Sequence, residues 1–120
     1  TIQKVNELVS VLTDDQKQLL KDTINMGFWG DTDMEFRKEN DEVETVSAYG
    51  YCTNDAKKAG NFKGRKISAN FRAIYKKLCP NEGTGRFLTQ ISDWWDDGSG
   101  DMLFIRKEYA QMFEEWAKQK

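Results

Sequence analysis

The acidic stretch 93–104, DWWDDGSGDMLF, has the spacing closest to that of a metal-binding loop in this chain. Asp93, Asp97 and Gly98 fall on positions one, five and six of an EF-hand calcium loop. However, Trp95 stands where the third ligand belongs, and Phe104 stands where the bidentate carboxylate belongs. The spacing therefore predicts no metal site.

Catalytic groups are also scarce. The 120 residues contain no histidine and only two cysteines, Cys52 and Cys79, so neither a Ser-His-Asp nor a Cys-His nucleophile can be assembled. Two cysteines also fall short of a four-ligand zinc site. We therefore predict a protein that is not an enzyme and holds no cofactor. The cysteines are expected to be buried free thiols, with a disulfide as the alternative.

Positive charge is concentrated between residues 57 and 79. This stretch holds eight Lys and Arg and no carboxylate, which leaves ten Lys and Arg against all 20 Asp and Glu in the remainder of the chain. Because the formal net charge is -2, any attraction to nucleic acid must be local. The stretch is either a phosphate-contacting surface or a solvated lysine-rich face.

A helix from Lys66 to Leu78 is predicted to position these charges. Its core face follows from residues at helical spacing, namely Ile67, Phe71, Ile74, Tyr75 and Leu78. The opposite face carries residues at i, i+4, i+7 and i+11, namely Arg65, Ala69, Arg72 and Lys76, with Ser68, Ala73 and Lys77 at its edges. The alanines let the helix backbone approach a partner such as a DNA major groove closely.

Two helices are predicted before this one. Apolar residues at helical spacing indicate a first helix, and Thr13 to Gln16 reads as a capping box that opens a second. The second helix ends near Gly27, where GFWGDTD supplies breakers; Phe28 and Trp29 are expected to cover an edge of the core. An exposed Trp29 would instead be a candidate contact for a partner.

The middle of the chain is expected to be mostly irregular. The balance of residues 31–55 is acidic, and KENDEVE within it is predicted to be a mobile loop. Residues 44–52 are rich in strand formers and predict a short strand. Thr53-Asn54-Asp55 offers an N-cap for a brief helix through Ala59, and residues 61–64 form a tight connection into the basic helix.

A β-hairpin and a final helix complete the predicted elements. The hairpin comprises strands at 86–95 and 101–105 with turn residues between them. Tyr109, Met112, Phe113 and Trp116 share one face of the C-terminal helix, which either packs on the domain or pairs with a second copy in a homodimer.

Length and hydropathy predict one domain, 1–120, in a cytoplasmic protein. A mass of 13.9 kDa allows a single core. No apolar run approaches the roughly 20 residues that span a bilayer, and the N-terminal residues are too polar for a signal peptide. We therefore expect no membrane contact.

The order of these elements resembles the winged helix-turn-helix superfamily over about residues 13–106, with 66–78 in the place of its recognition helix and 86–105 in the place of its wing. The resemblance implies an α+β fold: a three-helix core with a C-terminal β-hairpin and a C-terminal helix. It also implies duplex DNA binding by a transcriptional regulator or accessory factor. The DNA-binding residues would be Lys57, Lys58, Lys63, Arg65, Lys66, Ser68, Ala69, Arg72, Lys76 and Lys77.

Within that set, Arg65, Arg72 and Lys76 would face the groove, and Arg65 and Arg72 could read guanine. Lys57, Lys58, Lys63 and Lys77 would contact phosphates. Carboxylates flank the turn of the wing and would be repelled by phosphate, so the wing points away from DNA or serves a protein partner. The alternative function is a protein-interaction module on a winged-helix scaffold that uses the acidic loop and the hairpin, with Trp94, Trp95 and the turn Asp96 to Asp101 as contacts. Arg86 and Arg106 lie at the far ends of the strands, where they could still reach DNA.

Overall fold

The computed structural model describes residues 2–53, 67–78, 85–91 and 102–119, without the side chains of 67–71, 90 and 91. These residues contain four helices and four strands. In chain order they are α1 (Ile2–Leu8), α2 (Asp14–Met26), β1 (Phe28–Arg37), β2 (Val43–Cys52), α3 (Ile67–Leu78), β3 (Leu88–Ile91), β4 (Met102–Arg106) and α4 (Lys107–Ala117).

The four strands form one antiparallel sheet in the order β1-β2-β4-β3. β1 pairs with β2 over nearly its whole length, from Phe28 opposite Tyr51 to Arg37 opposite Val43. The last strand, β4, lies between β2 and β3, so the chain crosses to the outer edge of the sheet before it returns to the middle. The ends of β1 and β4 both meet the segment before β3: the N–H of Arg37 donates to the carbonyl of Gly85, and that of Arg106 to the carbonyl of Phe87, each at 2.9 Å.

The main core lies between the helices and one face of the sheet. Side chains from all four helices join Tyr51, Leu88, Leu103 and Ile105 in one buried cluster. β4 is buried on both faces: Leu103 and Ile105 belong to this cluster, whereas Met102 and Phe104 pack with Phe36 and Ala48 in a second one. Burial on both faces explains why MLFIR lacks the polar alternation of an ordinary antiparallel strand.

The capping box at the start of α2 is confirmed. Thr13 Oγ1 accepts a hydrogen bond from the backbone N–H of Gln16 at 3.1 Å, and Gln16 Oε1 accepts one from the N–H of Thr13 at 3.0 Å. The inner face predicted for this helix is confirmed as well, because Leu19, Leu20, Thr23 and Ile24 are all buried. Here the local sequence decided both the start and the orientation of the helix.

The mixed α+β class, the strand at 44–52, the antiparallel pairing of the two C-terminal strands and the final helix are also confirmed. That helix, α4, packs on α1, α2 and the sheet of its own chain. Cys52 is a half-buried free thiol. Cys79, the brief helix at 53–59, the connection at 61–64 and the turn at 96–100 lie partly or wholly outside the described residues.

The prediction for residues 28–37 was wrong, whereas the end of α2 near Gly27 and a solvated loop within 38–44 are confirmed. Instead of breakers, Phe28–Arg37 forms β1, and residues 38–42 form a short exposed turn in which the N–H of Lys38 donates to the carbonyl of Glu42 at 2.8 Å. The acidic residues of β1 occupy its exposed face, while Met34 and Phe36 contribute to the second core cluster. Phe28 and Trp29 do not cover the core, being 56% and 43% exposed.

Tyr51 connects the sheet to α4 through a polar contact at the edge of the main core. Its hydroxyl donates to Glu114 Oε1 at 2.9 Å, and its side chain is fully buried. Burial, together with the negative charge of Glu114, raises the pKa of Tyr51 far above its ordinary value of 10.0. The phenol therefore stays neutral in the folded state at a pH at which it ionises in the unfolded chain.

We expect Tyr51 to make the protein less stable in alkali. Above pH 10.0 the unfolded state releases the phenolic proton and the folded state keeps it, so this residue should lower the unfolding free energy by up to about 1.4 kcal/mol per pH unit. Urea denaturation of the wild type and of Tyr51→Phe across this range measures the effect. At neutral pH the variant should be less stable by about 1 kcal/mol, and the difference should shrink above pH 10. Parallel stability curves would contradict this assignment.

Candidate functional site

The basic helix α3 is anchored by its apolar side to α2 and to the outer strand β3. Ile74 and Leu78 are buried in the main core, and the hydroxyls of Tyr75 and Thr89 lie 2.9 Å apart in a hydrogen bond. These contacts confirm the predicted core face where the side chains are described. They also fix which side of α3 faces outward.

Three predicted DNA-binding residues lie on the outward side. Arg72, Lys76 and Lys77 are exposed. Lys77 Nζ donates to Gln16 Oε1 at 2.9 Å, which places this end of α3 beside the start of α2. No ion pair joins Arg72 or Lys76 to a carboxylate in the described ranges.

The side chains of the other predicted members of the interface are not among those that the structure describes. Ser68 and Ala69 belong to α3, but their side chains are not among those described. The remaining predicted residues lie outside the described ranges: Lys57, Lys58, Lys63, Arg65 and Lys66. The predicted protein contacts Trp94, Trp95 and the turn Asp96 to Asp101 also lie outside them.

Positive and negative charge are separated across the sheet. α3 packs beside β3 at one edge, whereas β1 at the other edge exposes Asp31, Asp33 and Glu35. The two edge strands nevertheless approach each other at one end, where the N–H of Arg37 donates to the carbonyl of Gly85 at 2.9 Å.

A second exposed surface lies at the start of β1. Trp29 is the extra residue at an irregularity in the pairing of β1 with β2, and the neighbouring Phe28 ring meets those of Tyr49 and Tyr51 edge-on at 5.6 and 5.8 Å. Two large exposed aromatic side chains thus adjoin the acidic residues of the same edge strand.

The sequence analysis missed a third charged site, which is built around Arg106. The side chain of Arg106 is only 10% exposed, and its Nη1 donates to Glu44 Oε1. Its Nε donates to the carbonyl of Arg86 at 2.8 Å, and its Nη2 to the carbonyl of Arg37 at 3.2 Å. The guanidinium also lies 5.1 Å from the centre of the Phe36 ring. The donors of Arg106 are therefore satisfied by groups of the protein itself, and this side chain is not available to DNA.

A cleft of about 580 Å³ opens beside this guanidinium. Its lining comes from the end of β1 and the following turn, the start of β2, the segment just before β3, and the junction of β4 with α4. The lining residues are Arg37, Lys38, Glu39, Asn40, Glu44, Arg86, Arg106, Glu108 and Tyr109. Without β1, which was not predicted, no sequence pattern could have brought these residues together.

Comparison with protein-family models, curated proteins and solved structures finds no significant match to this chain. Across the described ranges, no helix combines the length and hydrophobicity needed to cross a bilayer. Nor do three or more Cys, Asp or Glu in that part of the chain converge in a way that could hold a metal ion.

We expect Arg106→Ala to destabilise the fold strongly. The substitution removes three hydrogen bonds and leaves the Glu44 carboxylate, 30% exposed, without its cation; the cost should be about 3 kcal/mol. Arg86→Ala is the matched control because the Arg86 side chain is 57% exposed and its ion pair with Asp41 spans 3.5 Å, so the loss should be below about 1 kcal/mol. Urea denaturation compares the unfolding free energies of the two variants. Equal losses of stability would show that Arg106 contributes no more to the fold than an exposed arginine does.

Proposed function

We propose that this protein binds duplex DNA through the outward face of α3, as a transcriptional regulator or accessory factor on a winged-helix-like scaffold, without enzymatic activity. One observation carries the proposal: α3 buries Ile74 and Leu78 in the core while Arg72 and Lys76 stay exposed and form no ion pair within the described ranges. The antiparallel pair β3–β4, which follows α3 in the chain, supports the winged-helix comparison.

In this proposal α3 enters the major groove with its cationic face toward the bases. Arg72 has the planar guanidinium that pairs with the two acceptors of guanine, whereas Lys76 and Lys77 are point charges suited to phosphate. Lys57, Lys58, Lys63, Arg65 and Lys66 would extend this contact toward the N-terminal side of the helix, with Ser68 and Ala69 allowing close approach.

The separation of charge would orient the protein on DNA. The chain as a whole is slightly acidic, so a random encounter gains nothing from net charge. With the acids of β1 on the opposite edge of the sheet, an approach with α3 leading is the favourable one. Specificity would come from the few side chains that reach base edges.

The test measures binding to a fluorescent duplex of mixed sequence by anisotropy over a series of salt concentrations. The double variant Arg72→Ala, Lys76→Ala removes one base-reading cation and one phosphate contact, so it should weaken binding and lower the log–log salt slope by about 1. Lys118→Ala is the control, since Lys118 is an exposed cation at the far end of α4. Unchanged slope and affinity in the double variant, or an equal loss in the control, would refute the proposal.

The second candidate function, a protein-interaction module, is favoured by the surface at the start of β1. Phe28 and Trp29 are exposed beside a strand whose free face carries Asp31, Asp33 and Glu35. Such a combination suits a partner segment that offers basic side chains around an apolar anchor. The predicted contacts Trp94, Trp95 and the turn Asp96 to Asp101 remain part of this alternative.

Affinity capture with nuclease-treated extract tests the alternative. A partner bound at β1 should be retained by the wild type and by Arg72→Ala, Lys76→Ala, and lost from Trp29→Ala and from the double variant Asp33→Asn, Glu35→Gln. Since hot-spot aromatics cost 2 kcal/mol or more when truncated, the loss for Trp29→Ala should be about 30-fold in affinity. Capture that is indifferent to both β1 variants would exclude this surface.

A further inference from the structure

The cations of the cleft beside Arg106 come from separate parts of the chain. Arg37 and Lys38 stand at the end of β1, Arg86 precedes β3, and Arg106 ends β4. The first turn of α4, represented by Glu108 and Tyr109, forms another part of the wall. A helix N-terminus adds partial positive charge to what the side chains supply.

The cations differ in how firmly their partners hold them. Arg106 is bound to Glu44 in a nearly buried pair. Lys38 pairs with Glu42 at 3.7 Å and Arg86 with Asp41 at 3.5 Å, and all four of these side chains are about half exposed or more. Exposed pairs of this kind are weak, so Lys38 and Arg86 can turn toward a ligand at little cost.

Arg37 is the cation least satisfied by the protein. Its Nη1 donates to the carbonyl of Asp41 at 2.8 Å, but its Nε is buried and has no hydrogen-bond partner within the described ranges. No ion pair joins Arg37 to a carboxylate there. A buried donor without an acceptor is unfavourable, so a rotation of the Arg37 side chain that turns this donor toward an anion in the cleft would be favourable.

The carboxylates of the lining restrict what kind of anion fits. Glu44 and Glu108 both pair with Arg106, Glu108 at 3.6 Å, whereas Glu39 is exposed. Four cations and three carboxylates line the cleft, and Asp41 and Glu42 neutralise Arg86 and Lys38 until those exposed pairs open. The several phosphates of a polyanionic strand would be repelled by Glu39 and Glu108. A single phosphate group placed beside Arg37 would avoid that repulsion.

We propose that this cleft binds a phosphate monoester of a small molecule, with the phosphate held by Arg37, Lys38 and Arg86 and with Arg106 as the fixed wall behind it. The cleft volume of about 580 Å³ suits a ligand of nucleotide size. Guanidinium groups favour phosphate because they present parallel N–H donors to two of its oxygens. This site is separate from α3, so it does not depend on DNA binding.

The test is a titration of the full chain with adenosine monophosphate and with inorganic phosphate at constant ionic strength, followed by nuclear magnetic resonance. The side-chain Nε–H signal of Arg37 reports binding directly. Both probes should shift that signal saturably, the monoester at lower concentration, and sodium chloride should not. Absence of a saturable shift with either probe would overturn the proposal.

The variants separate this site from the DNA surface. Arg86→Ala and Lys38→Ala should each weaken binding of adenosine monophosphate about tenfold, and Arg72→Ala should leave it unchanged. Arg86→Ala should in turn leave duplex DNA binding unchanged. If Arg72→Ala lowers nucleotide affinity as much as Arg86→Ala, or if both cleft variants bind as the wild type does, the ligand is not in the cleft.

Discussion

The pairing of the Arg106 guanidinium with Glu44 is the interaction on which the arrangement of the sheet depends. A nearly buried cation is tolerable only when its hydrogen-bond donors are occupied. The donors of Arg106 bind groups from three different strand regions. These are the carboxylate of Glu44 in β2, the carbonyl of Arg37 in β1 and the carbonyl of Arg86 just before β3. Because these groups lie far apart in the sequence, satisfying one guanidinium also sets the relative positions of the strands. α4 begins at the next residue and is placed by the same constraint.

The elements that could be predicted from the sequence are those whose signals are local. The capping box at Thr13, the apolar stripe of α3 and the aromatic stripe of α4 each lie within one helix, and periodicity alone decides them. β1 was not predicted because Gly27, Gly30 and three acidic residues are typical of turns and loops as well as of exposed strands. In a strand whose outer face is exposed, acids at every second position are ordinary, so the same residues are compatible with either structure.

The α3 surface and the cleft beside Arg106 differ in the same way: local sequence predicts the first, and only tertiary structure assembles the second. The cationic stripe on α3 was predictable because it needs only 3.6 residues per turn and one buried face. The cleft required the register of β1 against β2, the insertion of β4 into the middle of the sheet, and the position of Arg86 before β3. The sequence analysis had Arg86 and Arg106 only as strand-end cations able to reach DNA. In the folded protein the Arg86 side chain is about half exposed, whereas the Arg106 side chain is nearly buried.

The difference in burial also gives the two sites different electrostatics. Arg72 and Lys76 are exposed to solvent, so their interactions are long-ranged only in low salt and are well matched to a polyanion, which gains by releasing counterions. Around Arg106 the effective dielectric constant is lower, so short contacts are stronger and less affected by salt. A ligand there must replace hydration with well-placed hydrogen bonds, which favours a compact anion. Salt should therefore weaken contacts to the exposed cations of α3 and of the cleft rim, Lys38 and Arg86, more than contacts to the nearly buried Arg106.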